Sequence, residues 1–298
     1  NTDNQFKENA KVKPQFDGTT YSFMYGDVLF LVYSLQDYWK GAYSLSACTS
    51  TYLTNDVGNW FREQVEAHPE AKWRVALVHK NIFSGSGHQE DEETPLFRAT
   101  MLPIMKECEI DLMLQGHDHC YEVIGPVNPD TKTPILNAIE DLEPTILSAS
   151  RNKGGTFTVN DGTLYFIGAT CGAKRYNPNS KAVMEADLSK HKVENYYDLF
   201  TGMFCQPGAP SYSVFTVDGD TITVNSYRIY KGKAPELFNT FTIKRTKAHG
   251  SGGLIGQMIQ EQGAAKVIYN GHMYILRADI AYNALGQAVA EENILSKL

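Results

Sequence analysis

Two short stretches decide how this chain folds: residues 73–79, WRVALVH, and residues 111–122, DLMLQGHDHCYE. Each opens as an apolar run of strand length and closes on histidine. His79 ends the first; Gly116, His117, Asp118 and His119 follow the second. Between them Thr94-Pro95 starts a helix that carries Leu96, Phe97, Met101, Ile104 and Met105 on one face. Strand, helix and strand at this spacing predict a βαβ unit and a parallel or mixed sheet. Ligands of such sheets bind at the carboxyl ends of the strands, where these histidines sit. Imidazole is the commonest side-chain ligand of first-row divalent metals. A glycine before histidines at i and i+2 lets the loop turn tightly and aim both rings into one crevice, where they serve two neighbouring ions.

Upstream, residues 21–34 join two apolar runs at Gly26-Asp27, which predicts a hairpin whose second strand is fully buried. Asn55-Asp56 offers an N-cap for a helix with Trp60, Phe61 and Val65, ending at His68-Pro69. After Gly125 apolar and polar residues alternate over 163–167, 213–217, 221–230 and 237–243, with turns at Asp161-Gly162 and Asp218-Gly219-Asp220. This predicts antiparallel strands. Residues 177–210, with Tyr196, Tyr197, Phe200 and Phe204, form either a helix with loops or a surface lobe. Residues 244–253 have the composition of a linker. A short helix over 254–262, a glycine-turned hairpin over 266–276 and a strand-like run over 282–289 follow. The expected domains are 1–245, and 246–298 as linker and small β tail.

The composition, 42% hydrophobic and 20% charged, excludes a mostly disordered chain. A net charge of −7 gives no electrostatic hold on nucleic acid, whereas a metal cluster still attracts a small phosphorylated substrate. No stretch reaches the roughly 18 apolar residues of a membrane span. The five cysteines match no zinc-finger spacing, and their odd number leaves one unpaired or its partner outside the chain. Cys108 lies on the amphipathic helix as a small buried hydrophobe. The chain opens at Asn1 with a polar run, as expected of one cut from a longer protein, so a signal peptide is not observable. The terminal Ser296-Lys297-Leu298 matches a peroxisomal address, a match short enough to arise by chance.

The strand ending in His79, the loop to His88, and Gly116-His117-Asp118-His119-Cys120-Tyr121-Glu122 together resemble the last blocks of calcineurin-like metallophosphoesterases. The form of the second block is nearest the purple-acid-phosphatase branch. Residues 163–174 resemble that family's following strand and small-residue turn, and 213–230 its closing strand pair; the resemblance spans about residues 21–243. It implies an α/β fold, a four-layer β-sandwich flanked by helices, here with its N-terminal half missing and a small C-terminal β appendage. It implies His79 and His117 on one metal, His119 on the other, and His88 contacting the phosphate or protonating the leaving group. The cofactors implied are two divalent or mixed-valence ions of iron, zinc or manganese. The substrate implied is a small phosphate ester, and the setting extracytoplasmic. The family's Asp-x-His, Gly-Asp-x-x-Asp and Gly-Asn-His-Asp/Glu blocks are absent; Gly58-Asn59-Trp60 lacks the histidine. The expected partner is therefore the missing N-terminal half of the same domain, and the chain alone is expected to be inactive. The rival reading is a non-enzymatic β-rich binding or surface module with structural histidines. A metallo-β-lactamase pattern fails on spacing, because Gln115 stands two residues before His117.

Around these ligands Asp118, Tyr121 and Glu122 are candidates to hold the loop by hydrogen bonds, with Asp118 alternatively facing solvent and the other two merely opening the next strand. The acidic run Glu90, Asp91, Glu92, Glu93 reads as a solvated loop, and Lys80 as a loop charge rather than a phosphate contact. His68, His191, His249 and His272 read as surface residues.

Overall fold

The computed structural model describes residues 19–35, 48–127, 155–179 and 202–249, and the backbone of four strands within 264–289. The chain divides into two compact units, Asn1–His249 and Gly250–Leu298. In the first unit β1 (Tyr21–Tyr25) and β2 (Val28–Val32) form the expected hairpin, with Tyr25 opposite Val28 and Gly26 at φ +58°. That positive φ is where a glycine avoids the clash a side chain meets. A π-helical segment, Cys48–Val57, runs straight into α1 (Gly58–Ala67). Asn55 and Asp56 therefore lie inside helical turns and do not cap α1, whose first residue follows a helical Val57. Next come β3 (Trp73–Leu77), α2 (Thr94–Glu107), β4 (Leu112–Gln115), β5 (Tyr121–Val127), β6 (Thr156–Thr158) and β7 (Thr163–Gly168). The unit closes with β8 (Phe204–Cys205), β9 (Ser211–Asp218), β10 (Thr221–Arg228) and β11 (Glu236–Lys244).

The main sheet has the order β1-β2-β3-β4-β7-β5-β8, and β2, β3, β4 and β7 run parallel through its centre. A second sheet has the order β6-β11-β10-β9. Alternation along β10 sends Ile222 and Val224 inward, where with Phe241 and Ile243 they meet Trp73, Leu112, Val123, Leu164 and Phe166 of the main sheet. The opposite face of the main sheet, with Leu29, Leu31, Ala76 and Met113, packs against Phe61 and Val65 of α1 and Phe97, Met101 and Met105 of α2. Helices, sheet and sheet are thus the layers of the described residues, a mixed α/β sandwich as expected.

Several local expectations are corrected. Strand β2 is not wholly buried, since Phe30 and Val32 remain half-exposed. Leu96 was expected on the core face of α2 but is 41% exposed, while its neighbour Phe97 takes the buried face of the first turn. Strand β7 is buried along nearly its whole length and sits in the parallel centre of the main sheet, paired with β4 and antiparallel to β5. Its continuous apolar run reflects burial on both faces. The presumed linker is still part of the unit through His249. Arg245 is buried, and Lys247 pairs with Asp161. The second unit contains β12 (Ala264–Tyr269) and β13 (His272–Arg277), the expected hairpin with Tyr269 opposite His272, then β14 (Ile280–Asn283) and β15 (Ala288–Val289). Residues 180–201, 254–262 and His191 fall outside the described residues, as does the His272 side chain.

At the end of the sheet opposite the histidines, Asp111 is wholly buried and joins distant segments. Its Oδ2 accepts the Arg74 backbone N–H at 2.8 Å and faces His249 Nε2 at 2.9 Å, while Oδ1 accepts from Arg245 Nη1 at 2.7 Å. His249 is therefore not a surface residue: its ring is 4% exposed, with Nδ1 at 3.3 Å from the Ala71 carbonyl. Removing one partner of such a network strands the others in a low-dielectric site. Asp111→Ala is expected to lower unfolding free energy by about 3–5 kcal/mol in urea titrations. Arg245→Met is expected to cost less, because Asp111 keeps its other two donors.

Candidate metal centre

The crevice lies where β3 and β4 end. Gly116 N–H donates to the His79 carbonyl at 2.9 Å, and a Cβ on Gly116 would sit 3.1 Å from that oxygen and 3.2 Å from His79 Nδ1. Any Cβ here would make its neighbours give by a few tenths of an ångström, so glycine favours this close approach of the two strand ends. The Asp118 N–H then donates to the Gly116 carbonyl at 2.8 Å, and His117 is held at φ +69°. A non-glycine residue there costs on the order of 1–3 kcal/mol, a strain that collects at functional sites. The turn brings the His117 ring to 5.3 Å from His79 and 3.7 Å from His88, centroid to centroid.

His119 stands to the side of this group, with Nδ1 3.0 Å from the Lys174 carbonyl and its ring stacked on Tyr176 at 4.8 Å. Tyr176 also meets His88 at 5.6 Å, so it spans the two halves of the crevice. His88 faces Asp91 Oδ2 at 3.0 Å through Nδ1, and its Nε2 lies 4.0 Å from Asp118 Oδ1. The ligand atoms of His88, Asp91 and His117 lie within 4.8 Å of one another, a donor set that sequence reasoning missed because Asp91 was assigned to a solvated run. That run is in fact half structural. Glu93 is nearly buried and pairs with Lys80, and Lys80 Nζ also lies 3.5 Å from Asp91. Lys80 is 1% exposed, a buried counter-charge rather than a loop cation.

The loop carrying His88 is held from below. Asp118 is fully buried, bonded to Ser84 Oγ and accepting the His88 N–H at 3.4 Å, so it does not face solvent. Glu122 accepts the Gly85 N–H at 3.1 Å. Burial, reinforced for Glu122 by Asp118, raises the pKa of both carboxyls. Tyr121 opens β5 but points away from the loop. Its hydroxyl meets Ser226 Oγ at 2.8 Å and accepts from Asn239 at 2.9 Å, which pins the two sheets together. Gln115, not among the expected site residues, fixes the other end of the loop, accepting from Ile82 N–H at 2.7 Å.

Desolvation lowers the pKa of His79 and lowers that of His117 to about 4, with neighbouring His88 and Lys80 adding to the effect. Neutral imidazoles with accessible nitrogens, beside a carboxylate, suit borderline divalent ions. The residues present therefore fit a metal. For His117 the unfolded chain binds the proton near 6.5 and the folded chain near 4, so its contribution to stability is complete above 6.5 and falls as pH drops towards 4. Asp118 and Glu122, raised instead, act with the opposite sign. Between these pH values the metal-free His117→Gln variant is expected to lose less stability on acidification than the unmodified chain. Identical pH slopes in urea midpoints would contradict it.

No protein-family model matches the chain. Purple acid phosphatase 4 of Arabidopsis thaliana is 31% identical over 121 residues, which is 40% of this chain and 32% of that protein. Purple acid phosphatase 3 of the same plant is 36% identical over 81 residues, 26% of this chain and 20% of that protein. The chain thus matches a third or less of the length of these curated relatives. The solved purple acid phosphatase PPD1 from yellow lupin (Lupinus luteus) seeds superposes with a TM-score of 0.45 at 15% identity, covering 76% of this chain and 32% of that one. Over the matched part, the chain is similar to purple acid phosphatases, which belong to the calcineurin-like metallophosphoesterases.

Proposed function

We propose that this chain carries the histidine side of a two-metal phosphoesterase centre that hydrolyses phosphate esters. The observation that carries the reading is the meeting of the His79, His88 and His117 rings at the ends of β3 and β4. In this reading His79 and His117 hold one ion and His119 the other, with iron, zinc or manganese as the metals. Two such ions supply Lewis-acid charge and a hydroxide at neutral pH. His88, oriented through Nδ1 by Asp91, contacts the phosphate and supplies the proton taken by the leaving oxygen. Asp118 and Glu122 keep its loop in place. Kinship with the Arabidopsis phosphatases supports this over a non-enzymatic β-rich module with structural histidines.

The acid blocks that would bridge and complete the two ions in this family are absent from the 298 residues. The chain by itself is therefore proposed to bind metal yet hydrolyse poorly. With zinc or manganese supplied, elemental analysis after desalting is expected to find at least one ion per chain and His117→Ala to lose it. p-Nitrophenyl phosphate turnover is expected to stay close to that of the metal alone. Absence of retained metal would refute the centre; rapid turnover lost in His117→Ala would refute only the claim that the chain is inactive.

A further inference from the structure

Beside His88 lies a cleft of about 430 Å³ lined by Ser86, Gly87, His88, Arg175, Tyr176, Asn177 and Asn179. The segment carrying Arg175 is laced to the histidine loops at nearly every neighbouring position. The Lys174 carbonyl meets His119 Nδ1, and the Tyr176 carbonyl accepts from Cys120 Sγ at 2.9 Å and from Gln206 Nε2. Ser86 Oγ donates to the Asn177 carbonyl at 2.9 Å, and Asn179 donates to Ser86 O through its side chain and to Gly85 O through its backbone, both at 2.6 Å. These bonds fix where the Arg175 backbone sits. Its side chain is exposed and forms no ion pair among the described residues, in a chain with seven more acidic than basic side chains (34 against 27). Lys174 adds a second cation, its ammonium 4.9 Å from the centre of the Tyr176 ring.

An arginine held beside a phosphate site, with no carboxylate partner among the described residues, presents a planar fork suited to a carboxylate or phosphate. We propose that Arg175 recognises a second anionic group on the leaving-group side of the substrate. The site then takes phosphate esters that carry another carboxylate or phosphate in preference to neutral-tailed ones. This inference rests on the phosphoesterase reading of the neighbouring histidines.

A matched pair of ligands tests it: glycerol 3-phosphate, and 3-phosphoglycerate, which replaces a hydroxymethyl group by a carboxylate. Calorimetric titration into the zinc-loaded chain is expected to give about tenfold tighter binding of 3-phosphoglycerate, the scale of one charge-assisted contact. In Arg175→Gln the ratio is expected to fall to near one, and in Arg175→Lys to be partly kept. Circular dichroism checks that each variant is folded. Equal affinities in the unmodified chain, or a preference that survives Arg175→Gln, overturn the role of Arg175 and leave the histidine site standing. Failure of both ligands to bind overturns the phosphate site and this inference together.

Discussion

Everything at the crevice depends on the contact between Gly116 and His79. The main-chain hydrogen bond between them, with little room for a Cβ, holds the ends of two parallel strands together. That closure forces the next residue, His117, into the left-handed region and throws its ring against His79 and His88. A larger residue at position 116 would have to push the strand ends apart, and the rings would separate with them. The strain is held by what lies beneath: Asp118 and Glu122, two buried carboxyls bonded to Ser84 and Gly85, tie the loop after β4 to the loop after β3.

The rest of the unit makes that closure affordable by being stiff at both ends. Asp111 stands at the start of β4 and gathers Arg74, Arg245 and His249 from β3 and the chain beyond β11. Tyr121, two residues beyond His119, anchors β5 to the second sheet through Ser226 and Asn239. Strand β4 is thus fixed at its root by charge, and β5, which follows the histidine loop, by a buried hydroxyl. The loop between these anchors has little freedom, which is what a preorganised polar site requires.

Much of this was legible in the sequence because it is written locally. The runs before His79 and His117 announce buried strands, Gly116 announces a tight turn, and alternation along residues 221–243 announces the second sheet. What escaped has its partners far along the chain. His249 and Asp111 are separated by 138 positions, and His249 stands next to a glycine-serine run whose composition hid its burial. Lys80 and the acids at 91 and 93 look like ordinary loop charges until the fold places them against one another. Arg175 and Tyr176 lie in a stretch with no periodicity at all, so only their tethering to the His88 and His119 loops reveals them.

The central claim is that these histidines are ligands and not packing residues. X-ray absorption at the zinc edge, on the desalted zinc-loaded chain, reads the ligands directly. The account predicts the outer-shell scattering of imidazole rings around the zinc, reduced when His79 and His117 are each replaced by alanine. A zinc surrounded only by oxygen scatterers, or a spectrum indifferent to both substitutions, would contradict it.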